Sequence, residues 1–108
     1  MFVERTFAFG TRQVHARFHE PYRASSGEYW CRWSIFWPDH EDTREAAGLD
    51  GVQALMLAMQ TVNSELQMSE AYHSGELTYC GGSDLDLPPG WGQGRLYDPG
   101  PDPSDELL

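Results

Sequence analysis

The 108-residue chain carries 17 acidic residues against 7 arginines and no lysine, which gives a formal charge of −10, and 40% of it is apolar. This composition is typical of one small acidic domain whose core needs no metal or disulfide to stabilise it. No apolar stretch approaches the ~20 residues that cross a bilayer, and residues 1–5 lack the basic start of a signal peptide. We therefore expect a cytoplasmic protein that does not enter membranes.

Charge is distributed unevenly along the chain. Residues 1–36 hold five arginines against three glutamates, a net of +2, whereas residues 37–108 hold two arginines against fourteen acids, a net of −12. The strongly acidic part excludes a simple polyanion-binding protein, because it would repel nucleic acid at long range. It favours a partner that is basic.

A β-hairpin is the first predicted element. Residues 2–9 and 13–19 alternate apolar and polar side chains, and Gly10-Thr11 between them suits a two-residue type II′ turn. A turn centred there pairs residues whose numbers sum to 21, so that Val3 faces Phe18 and Glu4 faces Arg17.

A dense aromatic segment, Glu28–Trp37, predicts the third strand, which follows a polar loop at residues 20–27 and ends at Pro38. Its odd-numbered positions are consistently apolar or amphipathic, so we expect them to face the core. The acidic stretch Asp39–Arg44 is expected to be a charged connection.

A helix is predicted to begin after Asp50, which with Gln53 forms a capping-box pattern. Apolar residues at 52, 55, 56, 59, 62 and 66 form one stripe that should face the sheet. Ser69 then caps a further short turn, Gly75 ends it in a left-handed conformation, and Glu76–Cys80 is expected to be a short fourth strand.

Together these elements predict an α+β fold. We expect a two-layer sandwich in which an antiparallel sheet of three or four strands packs on one long helix, in the order β-β-β-α-β. The domain is expected to span residues 1–82. Residues 83–108 form an acidic Pro/Gly-rich tail with an irregular structure, and its first half is expected to pack on the domain because it contains Trp91.

The start of the predicted helix also carries a family resemblance. The run Ala47-Gly48-Leu49-Asp50-Gly51-Val52-Gln53-Ala54-Leu55, with Trp30-Cys31 before it and Gly75-Glu76-Leu77-Thr78 after it, resembles a family of small bacterial proteins that is a domain of unknown function. The likeness spans roughly residues 28–80. Its distinctive positions are helix-start and core residues, so the resemblance implies the architecture and transfers no catalytic residue.

Candidate catalytic and metal-binding residues are few. His15 and His19 share one face of the second strand but lie ~13 Å apart along it, too far to share a zinc ion whose ligands each lie ~2 Å from it. The two cysteines lack CxxC spacing, and both are expected to be buried reduced thiols. We predict no catalytic residue, no metal and no cofactor.

The sheet face away from the helix is the first candidate binding surface. Trp30, Arg32 and Phe36 should stand there near Arg17 and His15, and exposed aromatic residues beside arginines mark a surface that something covers. Three occupants are weighed: the tail, through Trp91 and Tyr97; a second copy of the chain; and a partner molecule. Nucleic acid is not expected.

Two functions follow from these patterns. The first is a non-enzymatic protein that binds a basic macromolecular partner, like an immunity or inhibitor protein, through residues that combine acids with the aromatic face: Asp39, Glu41, Asp42, Glu45, Trp30, Arg32 and Phe36. The alternative is a small-molecule binding protein or enzyme with a cleft at the aromatic face, lined by His15, Arg17, Trp30 and Arg32.

Overall fold

A computed structural model describes residues 3–88, and the expectations for Trp91 and Tyr97 lie outside that range. Within it, a six-stranded antiparallel sheet carries one main helix, so the fold is α+β. The elements in chain order are β1 (Val3–Phe9), β2 (Arg12–Phe18), β3 (Tyr22–Arg23), β4 (Tyr29–Phe36), β5 (Glu41–Gly48), α1 (Gly51–Gln67), α2 (Glu70–His73) and β6 (Leu77–Thr78).

β4 is the central strand of the sheet. It pairs on one side with β2 and with the short β3, and on the other side with β5 along its whole length. β1 joins β2, and β6 joins β1. α1 crosses β4 and β5, so the core lies between this helix and one face of the sheet.

The predicted hairpin is confirmed in its register. β1 and β2 pair antiparallel with Val3 opposite Phe18 and Glu4 opposite Arg17. Gly10 has a φ of +60°, as the first central position of a II′ turn requires. Phe7 and Val14 are fully buried on the side that faces α1.

The expectation of a charged connection after the third strand is wrong, because residues 41–48 form strand β5. The sheet therefore has six strands among the described residues rather than three or four. The two additional strands, β3 and β5, lie in segments that were expected to be loops. β5 pairs only with β4 in the described part of the chain, and its charged sequence EDTREAAG suits an edge strand that must resist pairing with other molecules. Because this sequence does not alternate apolar and polar residues, the hydrophobic pattern did not predict a strand here.

The start of α1 is confirmed and its buried face is corrected. The Asp50 carboxylate accepts a hydrogen bond from the backbone N–H of Gln53 at 2.8 Å, and the Gln53 side chain accepts from the N–H of Leu49 at 2.7 Å. Val52 was expected in the apolar stripe but is 73% exposed. Val62 and Leu66 of the predicted stripe are buried, and the buried face repeats every four residues, at Ala54, Ala58, Val62 and Leu66.

Small residues explain this rotation of the helix, because they let α1 approach β5 closely. A Cβ added at Gly48 would lie 2.5 Å from the backbone nitrogen of Ala54 and 2.9 Å from its Cα. Two backbones that meet this tightly leave no room for the larger side chains of Leu55 and Met59 between them. Those two residues are only partly buried, at the margin of the core.

The segment after β6 adds to the core from the β1 side. Leu85 and Leu87 belong to the buried cluster. The Arg5 guanidinium donates hydrogen bonds to the backbone carbonyl oxygens of Leu85, at 3.3 Å, and Asp86, and it lies 4.5 Å from the centre of the Tyr79 ring. Arg5 thus clamps residues 85–87 against the sheet.

The two cysteines occupy different environments. Cys31 is buried in β4, and burial raises the pKa of its thiol. Cys80 is exposed, so the expectation that both thiols are buried is wrong. Cys80 and Gly81 have φ values of +50° and +80° at the centre of a tight turn between Tyr79 and Gly82, which holds the Cys80 side chain in solvent.

Candidate functional site

The outer face of the sheet, opposite α1, holds the residues that the sequence singled out as aromatic and basic. At one end of β4, the Arg17 guanidinium lies 4.4 Å from the centre of the Phe36 ring and forms an ion pair with Glu4. His15 lies opposite Phe36 in the β2–β4 register, with its Nδ1 3.0 Å from the Thr6 hydroxyl. Arg17 and His15 therefore already have charged, polar or aromatic partners on this face.

Trp30 and Arg32 lie toward the other end of β4. Arg32 pairs with Glu45 at 3.4 Å, and the Tyr22 hydroxyl donates to the same carboxylate at 2.7 Å. That hydrogen bond raises the pKa of the Tyr22 phenol. The Trp30 indole N–H donates to Glu28 at 3.4 Å. Trp30 and Arg32 are thus paired with different glutamates toward one end of the outer face, whereas His15 and Arg17 share Glu4 toward the other end.

The four acids after the third strand are divided between two sides of the molecule. Because side chains alternate along a strand, Glu41 and Glu45 of β5 point to the outer face and Asp42 points to the helix side. Asp39 lies in the β4–β5 turn and is highly exposed. Asp39 and Asp42 both contact His40, at 2.7 and 3.6 Å. The predicted acidic set is thus not one continuous surface.

Asp39 and Asp42 belong to a larger feature, which we call the acidic cleft. It is an opening of about 450 Å³ on the helix side, between the β4–β5 turn and the junction of α1 with α2. Its lining residues are Phe9, Trp37, Asp39, His40, Asp42, Glu65, Met68, Ser69, Glu70 and Ala71.

Aromatic rings form the floor of the acidic cleft. The His40 ring stacks on the Trp37 ring, with centroids 5.8 Å apart and planes inclined by 13°. Phe9 meets Trp37 edge to face at 6.1 Å. The backbone N–H of Trp37 donates to the carbonyl oxygen of His40 at 2.9 Å, which closes the turn and holds both side chains together.

Carboxylates form the rim. Four of them line the cleft, two from the β4–β5 hairpin and two from the helices, at Asp39, Asp42, Glu65 and Glu70. The hydrogen bond from His40 lowers the pKa of Asp39, and Arg12 adds a weaker attraction in the same direction. Arg44 pairs with Glu65 at 3.4 Å. Apart from this pair and the contacts of Asp39 and Asp42 with His40, the rim presents negative charge to solvent.

A smaller opening of about 180 Å³ adjoins the acidic cleft and shares Phe9, Glu70 and Ala71 with it. It extends the acidic lining to Glu76. A third opening, of about 280 Å³, lies elsewhere, against the partly buried side of α1 at Leu55 and Met59. Among the described residues, no three His, Cys, Asp or Glu side chains have the geometry to hold a metal ion.

Sequence reasoning missed the helical half of the acidic cleft. Glu65 and Glu70 flank the junction of α1 and α2, and no periodic pattern links them to Asp39 and Asp42. One signal was visible, since the last turn of α1 contains no basic residue to balance the negative end of the helix dipole. This leaves the end of α1 favourable to a cation supplied from outside.

Comparison with known proteins identifies the family. A family described as "Domain of unknown function (DUF6968)" matches residues 3–89, which include every element described above. The chain belongs to this family. No curated protein and no solved structure matches this DUF6968 member. Within residues 3–88, none of its helices combines the length and the apolar character needed to cross a membrane.

Proposed function

We propose that this DUF6968 protein is a non-enzymatic interaction protein that binds a basic protein partner, in the manner of a bacterial immunity or inhibitor protein in the cytoplasm. One observation carries the proposal: the acidic cleft combines an aromatic floor with four carboxylates around an opening of about 450 Å³. An aromatic face attracts cations through its quadrupole, and the carboxylates pair with their donors. The cleft therefore suits a basic side chain of the partner.

The charge of the whole chain supports the same partner. A formal charge of −10 produces a field that raises the encounter rate with a basic protein before any contact forms. The cleft then supplies the local contacts that hold the complex. Long-range attraction alone would not favour one basic protein over another, whereas a shaped cleft with an aromatic floor does.

The cleft is preferred to the outer face for a specific reason. On the outer face, Arg17 is already paired with Glu4 and Phe36, and Arg32 with Glu45. A ligand at that face would have to break these contacts before it gained its own. In the cleft, the exposed Glu70 lines the opening, and Asp39 and Asp42 contact His40, whose side chain is half-exposed and is not needed to close the turn. A small-molecule site or a homodimer on the outer face therefore has less support than a partner in the cleft.

The test is capture of the partner from an extract of the source organism. The cleft variant replaces three rim acids, Asp39→Asn, Asp42→Asn and Glu65→Gln. We expect the wild-type protein to retain a basic protein at low salt and the cleft variant to lose it, because three of the four rim carboxylates are gone.

The control variant removes the same number of charges outside the cleft, through Glu20→Gln, Glu41→Gln and Glu45→Gln. All three residues are exposed, and none of them lines the cleft. The control should retain the partner nearly as well as the wild type. Equal loss in both variants, or capture of an acidic partner, would contradict a specific role for the cleft.

A further inference from the structure

We infer that the acidic cleft is built for an arginine side chain of the partner, which takes the position that His40 occupies on Trp37. This inference rests on the proposed function and names the group that enters the cleft. It follows from the way in which His40 fills that position: a planar ring, nearly parallel to the indole, held between two carboxylates.

The position meets the chemical needs of a guanidinium group. That group is planar, always charged, stacks on aromatic faces and donates hydrogen bonds from its edge in a fixed fork. Trp37 offers the face, and Asp39 and Asp42 offer acceptors at two sides of the same plane, as their contacts with the two nitrogens of His40 show. A neutral imidazole has one such donor and an imidazolium has two, whereas a guanidinium has five.

His40 can leave this position without disturbing the fold. Its side chain is 54% exposed, and the turn is closed by a backbone hydrogen bond to its carbonyl oxygen rather than by its ring. Rotation of the side chain into water would free both carboxylates and uncover the Trp37 face. In the unbound protein, His40 thus acts as an internal substitute for the partner's cation.

The rest of the cleft suits the aliphatic part of an arginine. Met68 lines the opening and is 77% exposed, so packing does not fix the position of its side chain. Methionine is flexible and adapts its shape to a bound group. Met68 can cover the methylene groups of an arginine whose guanidinium lies on Trp37. Glu70 also lines the neighbouring opening, where a second basic residue of the partner would fit.

Lysine is expected to bind less well. Its ammonium is a compact, strongly hydrated charge that gains little from a planar face and cannot contact two carboxylates through a rigid fork. The difference expected at a partly exposed aromatic site is about fivefold in Kd.

The experiment uses three synthetic ten-residue peptides in a Gly/Ser background, each titrated into the full chain at low salt. The first contains two arginines, the second two lysines, and the third two citrullines, which keep the planar shape of arginine without its charge. Binding is followed by NMR through the indole N–H of Trp37, assigned with Trp37→Phe. We expect the arginine peptide to bind about fivefold more tightly than the lysine peptide, and the citrulline peptide to bind weakest.

Two variants test the position itself. His40→Ala should tighten binding of the arginine peptide, because the competing ring is removed, whereas Trp37→Leu should weaken it. Trp30→Leu, on the outer face, is the matched control and should leave the Kd unchanged. Weaker binding by His40→Ala would overturn the idea that this ring is a substitute.

The outcomes also separate this inference from the proposed function. Equal affinity for the arginine and lysine peptides would overturn the preference for arginine while leaving a cation-binding cleft in place. Failure of every peptide to bind, with the captured partner still lost from the cleft variant, would overturn the arginine inference alone. Failure of the peptides together with retention of the partner by the cleft variant would overturn both.

Discussion

Replacement of Gly48 by alanine tests how α1 is seated on β5. The added Cβ would lie 2.5 Å from the nitrogen and 2.9 Å from the Cα of Ala54, and both are backbone atoms that cannot rotate aside. The φ of Gly48 is not positive, so the backbone itself accepts alanine and the cost is steric. Overpacking of this kind costs about 1–3 kcal/mol. In a domain of this size each kcal/mol lowers the Tm by about 4–8 °C.

Gly51 provides the matched control for this substitution. It is the first residue of α1, and a Cβ there would lie 3.6 Å from the side chain of Pro21, an ordinary contact distance. Gly51→Ala should therefore leave the Tm unchanged or raise it slightly, because alanine favours the helix. Urea and thermal unfolding of both variants measure the difference. A Gly48→Ala protein as stable as the wild type would refute the close approach of α1 to β5.

Three further predictions concern the helix face, the turn and the thiols. Val62→Asp should prevent folding, because the residue is fully buried, whereas Val52→Asp should leave circular dichroism and Tm nearly unchanged; equal effects would refute the helix orientation. In an NMR titration Asp39 should protonate below its ordinary pKa of 3.8. The stability that its contact with His40 contributes is therefore present at neutral pH and lost as the pH falls through that lower pKa. His40→Ala should raise the pKa of Asp39, and an unchanged titration midpoint would contradict the hydrogen bond. Of the two cysteines, only the exposed Cys80 should react with a thiol reagent in the native protein, and mass spectrometry that found rapid double labelling would show that the core opens.

Local signals in the sequence predicted most of the elements correctly. The hairpin register followed from one turn and an alternating pattern, and the start of α1 from Asp50 and Gln53, because each depends on residues close together in the chain. Cys31, Trp33 and Ile35 are buried as predicted from their alternation. In these cases the local preference and the packed structure favour the same arrangement.

The errors arose where packing between distant segments decides the structure. β5 is charged because it is an edge strand, so composition suggested a loop. The face of α1 that is buried depends on Gly48 and Ala54 meeting across elements, which overrides the apolar residue Val52. Prediction from the spacing of apolar residues depends on residue type alone and takes no account of how closely two backbones can approach.

The candidate site was predicted only in part for the same reason. Asp39 and Asp42 were named from their charge, but their neighbours Glu65 and Glu70 come from the adjoining ends of two helices that are distant from the β4–β5 turn in the chain. Trp37 packs against the core cluster on the expected side, partly buried beyond the end of β4, and it also forms the floor of the acidic cleft, which its position in the strand did not indicate. Only the folded chain brings an aromatic ring and these acids together.

The most direct test of the acidic cleft is the association rate of the captured partner, measured by stopped flow for the wild type, the cleft variant and the control variant. Between ionic strengths of ~0.01 and ~0.15 M the Debye length falls from ~30 to ~8 Å. We predict that the wild-type rate falls about tenfold or more over this range, that the control variant follows it closely, and that the cleft variant is slow already at low salt. A cleft variant that associates as fast as the control at low salt would show that the partner is not recognised through the acidic cleft.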